Sequence, residues 1–125
     1  MRRPNPTEHQ IQKSFFDWWA VSQGNRDWYP LCWATPNGGV RHITTAVRLK
    51  AEGVRAGVPD VFIAVPCGAW FGLFLEFKRR TGVVTPAQRF YLDALSKVGY
   101  RCEVIRSLDE AIIMVSGYLK HATPI

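Results

Sequence analysis

The sequence predicts an α/β fold, a small mixed sheet with helices on both faces, in one domain over residues 1–125. Two apolar runs around a Pro-Cys-Gly turn, inside VPDVFIAVPCGAWFGLFLEFKRR at residues 58–80, read as a buried hairpin. The segments on either side carry apolar residues at helical spacing behind capping residues, interrupted by two shorter strand-like stretches. At 125 residues and 47% hydrophobic, the chain has the material for a single core.

The first helix is expected over residues 6–22. Asn5 is its cap, Pro6 suits the first helical position, and Ile11, Phe15, Trp18 and Trp19 follow in phase. LCWAT then reads as a short strand before the glycine-rich Pro36-Asn37-Gly38-Gly39 loop. A second helix is expected over residues 44–52, stopped by Gly53. After the hairpin, Thr85-Pro86-Ala87-Gln88 has capping-box form. It opens a helix whose apolar stripe is Ala87, Phe90, Tyr91, Ala94, Leu95 and Val98, ending at Gly99. CEVI reads as a buried strand, and Ser107 caps a last helix carrying Ile112, Val115 and Leu119.

Several function classes drop out on composition. No apolar run reaches the roughly 18 residues of a membrane span, and no signal-type stretch follows MRRPNPTEHQ, so a cytoplasmic protein with no membrane partner is expected. Cys32, Cys67 and Cys102 are odd in number and far apart, which suits small core residues rather than a disulfide framework or zinc site. The net charge of +6 favours an anionic partner. Its basic residues concentrate at Arg41, His42, Arg48, Lys50 and Arg55, and at Lys78, Arg79 and Arg80.

With the turn centred on Gly68, Asp60 lies opposite Glu76, and Lys78 projects on the same face two residues on. Phe62, Ala64, Gly72 and Phe74 share that face. The other holds Val61, Ile63, Val65, Phe71, Leu73, Leu75 and Phe77 and must be buried. Opposed carboxylates about 4.5–5.5 Å apart repel unless a cation lies between them. A divalent ion with oxygen ligands at about 2.0–2.6 Å fits that gap. The alternative is plainer: Asp60 starts a strand, and Glu76 with Lys78 forms a solvated edge. Strands that are apolar on both sides weigh against it.

Asp60 followed by Glu76-Phe77-Lys78 resembles the PD-(D/E)XK nuclease superfamily. With Pro36-Asn37-Gly38-Gly39, with Gly53-Val54-Arg55-Ala56-Gly57-Val58-Pro59-Asp60 and with Thr85-Pro86-Ala87-Gln88, nearly the whole chain is similar to the VRR-Nuc (virus-type replication-repair nuclease) family. Standalone members are often encoded by phages. The resemblance implies a restriction-endonuclease-like αβββαβ core and a Mg²⁺ or Mn²⁺ cofactor, with no organic cofactor. It implies that Asp60, Glu76 and the carbonyl of Phe77 ligate the metal, with Glu8 nearby, and that Lys78 positions or activates water. Gln88 matches a polar site residue of the family. Glu8 and Gln88 each also stand at capping-box spacing, which would give them a helix-end role worth about 1 kcal/mol.

Asn37, Arg41, Arg48, Lys50, Arg55, Arg79 and Arg80 are the expected DNA contacts. His9 and His42 are weaker candidates for phosphate or metal, and Trp28 and Trp70, beside turns, for base stacking. The implied activity is DNA repair chemistry on branched DNA: a Holliday junction resolvase, acting as a homodimer to cut two strands symmetrically. A flap or nicking endonuclease, and a non-catalytic DNA-binding module, are the alternatives.

Overall fold

A computed structural model of the chain describes residues 4–36 and 43–122. Four helices, α1 (Glu8–Gln23), α2 (Ile43–Ala51), α3 (Pro86–Lys97) and α4 (Leu108–Leu119), alternate with four strands. The strands are β1 (Cys32–Ala34), β2 (Val61–Ile63), β3 (Leu73–Phe77) and β4 (Arg101–Ile105), in the expected order, with one 3₁₀ turn at Tyr29–Leu31.

They form one sheet in the order β1-β2-β3-β4, antiparallel for the first two pairs and parallel between β3 and β4. A parallel pair needs a crossover, which α3 supplies. Val61 pairs with Leu75 and Phe62 with Phe74, the register expected from a turn at Gly68. Val61, Ile63, Leu73, Leu75 and Phe77 on one face are fully buried with Ile11, Phe15 and Trp19 of α1 and Ala111, Val115 and Tyr118 of α4. Each such large apolar side chain contributes about 1.5–3 kcal/mol by leaving water. The Phe15 ring lies 5.6 Å from that of Phe77, fastening α1 under the strand that carries Glu76 and Lys78.

On the opposite face Phe62 stacks on Phe74 at 4.3 Å, with Tyr100 against both and the half-exposed Trp33 at the β1 edge. Gly72 leaves room for the Phe62 ring, which a Cβ there would meet at 2.8 Å.

Four expectations change. α1 is capped by Thr7, not Asn5: the Thr7 hydroxyl accepts from Gln10 N–H at 3.1 Å, and Gln10 Oε1 accepts from Thr7 N–H at 2.9 Å. Phe71 lies outside the β3 ladder and is exposed, because its ring lies over Gly99 and against Tyr100, on the side of Phe62 and Phe74, instead of entering the core. β4 is half-buried except at Ile105, as befits an edge strand. The stripe on α3 is rotated outwards: Leu92 is buried, while Phe90 and Val98 are exposed. Two contacts of the first turn of α3, described next, fix that rotation.

The three cysteines are free, and burial pushes the Cys32 thiol up to about 12, which makes it unreactive. No helix among the described residues is long and apolar enough to cross a membrane.

Candidate active site

The sequence GVPD brings Asp60 into place through one tight approach. Gly57 has φ 91°, and a Cβ on it would lie 2.7–2.9 Å from the Ala87 backbone and side chain, so only glycine lets this loop press against the start of α3. Pro59 behind it is fully buried. The Asp60 carbonyl accepts from Thr35 N–H at 2.8 Å, and its carboxylate accepts from Phe77 N–H at 2.7 Å. The Asp60 side chain is thereby held across the hairpin, where its charge acts on the Glu76 carboxyl.

Glu76 is 2% exposed. Its Oε1 accepts from Gln88 Nε2 at 2.9 Å, and its Oε2 is buried with no hydrogen-bond partner. Burial is the main cause that pushes its pKa up to about 8; the Asp60 charge beside it adds to it, Lys78 opposes it, and Glu8 raises it further. Gln88 serves two ends at once. Its Oε1 accepts from Thr85 N–H at 2.9 Å, its own N–H donates to the Thr85 hydroxyl at 3.2 Å, and its amide nitrogen remains for Glu76. The capping role and the site role suggested for Gln88 by its position therefore coexist.

Lys78, 6% exposed, places Nζ 3.7 Å from Glu8 Oε1. Because Gln10 completes the Thr7 box, Glu8 is spared that duty and its side chain turns to Lys78. The starts of α1 and α3 thus meet the end of β3 at one place. Both helix N-termini bring partial positive charge there, which favours an anion such as phosphate.

Three or more His, Cys, Asp or Glu side chains do not gather into a metal cage among the described residues. Mg²⁺ does not need one, since it usually keeps several waters and takes one or two carboxylates. An orphaned carboxylate oxygen beside a second carboxylate fits such an ion, and a cation there would favour the ionised form of Glu76 against its burial and the Asp60 charge.

The other expected residues divide. Arg79 and Arg80 are exposed and border a cleft of about 170 Å³ with Asn5, Pro6, Thr7 and Thr81. Lys50 and Arg55 border another, of about 280 Å³, with Pro36 and Leu49. Arg48 is exposed on α2, paired loosely with Glu52 at 3.7 Å. His9 is exposed, Trp28 donates to Gln23 at 3.0 Å under the Arg26 guanidinium, and Trp70 is partly exposed in the hairpin turn. Asn37, Arg41 and His42 lie outside the described residues. Sequence reasoning passed over Arg106, whose guanidinium holds the turn after Lys78. The only signal was a cation directly behind a strand and before the Ser107 cap.

Residues 6–109 match the family model described as the VRR-NUC domain. A solved structure titled VRR_NUC domain protein superposes with a TM-score of 0.80 at 28% identity, covering 94% of this chain and 91% of that one. No curated protein matches the sequence.

Proposed function

The chain belongs to the VRR-NUC family and has its nuclease-type fold, and from that premise we propose that it is a divalent-metal-dependent endonuclease that hydrolyses DNA phosphodiesters. One observation carries the reading: the buried, unpartnered Glu76 Oε2 beside Asp60, with Lys78 two residues on. Asp60, Glu76 and the Phe77 carbonyl would hold Mg²⁺ or Mn²⁺. Once bound, the ion supplies Lewis acidity at the phosphodiester and lowers the pKa of water.

The protein groups do the rest. Gln88 fixes the direction of the Glu76 carboxylate, and the Phe77 N–H fixes Asp60. Lys78, shielded from bulk water, orients the attacking water and offsets negative charge as it develops on the phosphoryl oxygens. Glu8 holds Lys78 in reserve until a phosphate competes for it. Arg48, Lys50, Arg55, Arg79 and Arg80 are exposed cations available to neighbouring phosphates.

For substrate, we favour a four-way junction cut symmetrically by a homodimer. A chain of this size offers few phosphate contacts, and two copies double them. Phe71, Phe90 and Val98 are exposed apolar side chains of the kind a second copy covers. The deciding experiment compares cleavage of junction, flap, nicked and linear DNA with Mn²⁺, Mg²⁺ and chelator, for wild type and Asp60→Asn. Metal-dependent junction cutting lost in the variant is expected. Cutting confined to flaps or nicks would leave the chemistry and remove the resolvase assignment; DNA binding without any cutting would leave a binding module.

A further inference from the structure

The connection from β3 to α3 begins with three consecutive cations, Lys78, Arg79 and Arg80, and a fourth, Arg106, lies beneath it. Like charges so close repel one another unless each has a partner. Arg106 has three. Its Nη1 donates to the carbonyls of Gly82 at 2.8 Å and Arg79 at 3.0 Å, with a longer contact to that of Arg80 at 3.4 Å. The Arg79 carbonyl also accepts from Gly82 N–H at 2.9 Å, so the guanidinium closes a turn that is already hydrogen-bonded.

Arg106 is itself well anchored. Ile105 before it is buried, and its carbonyl accepts from Lys78 N–H at 2.9 Å, the last bond of the β3–β4 ladder. The Arg106 backbone N–H donates to Glu110 Oε2 at 2.7 Å, at the first turn of α4. The end of β4 thus grips both the backbone of Lys78 and the turn that follows it. All three carbonyls of residues 79, 80 and 82 face Arg106, while the side chains of Arg79 and Arg80 are exposed.

We propose that Arg106 is a positioning residue for substrate binding: by gathering the carbonyls of the 79–82 turn it sets the direction in which Arg79 and Arg80 meet the DNA backbone beside the cut. It satisfies its own charge with carbonyl dipoles, which carry no sequence information and consume no carboxylate. The guanidinium therefore adds its charge to the field that meets phosphate at the turn without drawing a carboxylate onto Arg79 or Arg80. The role rests on the nuclease reading, since without a polyanionic substrate a pinned cationic turn has nothing to receive.

The test uses Arg106→Gln and Arg106→Lys in the full chain, each also placed on an Arg79→Ala/Arg80→Ala background. Junction affinity is measured across salt concentrations with Ca²⁺, and single-turnover cleavage with Mn²⁺. Arg106→Gln should weaken binding about tenfold and make the salt dependence shallower by about one phosphate contact. The cleavage rate at saturating DNA should change by less than about threefold, and Arg106→Lys, which keeps donors on a long stem, should recover part of the loss. On the double-alanine background Arg106→Gln should add nothing, the non-additivity of a residue that acts through others. Full additivity there, a loss confined to the saturated rate, or an unchanged salt slope would each overturn the role. Thermal melts confirm folding, and Arg106→Lys carries the test if Arg106→Gln does not fold. A wild-type chain that binds no DNA removes the nuclease reading and this role together, before any variant is measured.

Discussion

Replacing Glu76 by Gln should stabilise the metal-free protein at neutral pH, against the usual expectation for a buried hydrogen-bonded residue. The folded-state pKa of Glu76 is raised from the ordinary 4.5 to about 8. A group raised in this way contributes stability that is fully present below about pH 4.5 and is lost as pH climbs through about 8. A rise of that size corresponds to about 5 kcal/mol between the two charge states, an upper figure because Asp60 shares the titration. By about pH 7 roughly 3 kcal/mol of it is already gone, since the unfolded chain is ionised there while the folded one must hold a proton. For a domain of this size that amounts to about 10 °C in melting temperature. Gln keeps the shape, cannot ionise, and can still meet Gln88. Melting curves with chelator from about pH 5 to about pH 8.5 should fall steeply for wild type and stay flat, in comparison, for Glu76→Gln. Excess Mn²⁺ should reverse the order, adding about 4 kcal/mol to wild type at a thousandfold over Kd and little to the variant. Parallel pH profiles for the two proteins would refute the argument, whatever their absolute stabilities.

Lys78→Ala should cut the cleavage rate at least about a hundredfold while metal affinity and DNA affinity stay near wild type, because its contribution is to charge that develops only during reaction; single-turnover kinetics beside calorimetry would expose a binding role instead. Gly57→Ala should destabilise the fold by at least about 2 kcal/mol in urea melts, since both its φ of 91° and the 2.7 Å approach to Ala87 exclude a side chain. Phe90→Asp should convert a solution dimer to monomer in light scattering and turn paired junction cuts into single nicks; a dimer that survives it uses another surface.

Much of this architecture was legible because the hairpin is so strongly patterned. A period of two with a Pro-Cys-Gly turn leaves one register, in which the buried-face residues Val61 and Ile63 find Leu75 and Leu73, and that register carried one residue further sets Asp60 opposite Glu76. The family motif then gave those acids a chemistry. The rotation of α3 could not be read in the same way. Its apolar stripe and its buried face diverge because Gln88 must reach Glu76 and Ala87 must abut Gly57, contacts between segments some 12 and 30 positions apart. The α1 cap was misplaced for a local reason: Asn5 and Thr7 both precede a helix-like run, and only the reciprocal bonds with Gln10 select Thr7. Arg106 was hidden because its three acceptors are backbone carbonyls, which any residue supplies. Such a partner leaves no trace in side-chain identity.

Gln88 also limits how stable this protein is free to become. At the third position of a capping box glutamate serves as well as glutamine, and near a helix N-terminus its charge brings a further 0.3–1 kcal/mol or so from the dipole. Here the same side chain donates its amide to Glu76 Oε1 at 2.9 Å, so Gln88→Glu would trade that donor for an anion facing two carboxylates. A substitution that would strengthen an ordinary helix is closed to this one, and a search for thermostable variants guided by helix-capping and dipole rules would choose it in error. The helix gives up a fraction of its own stability so that one carboxylate keeps its heading.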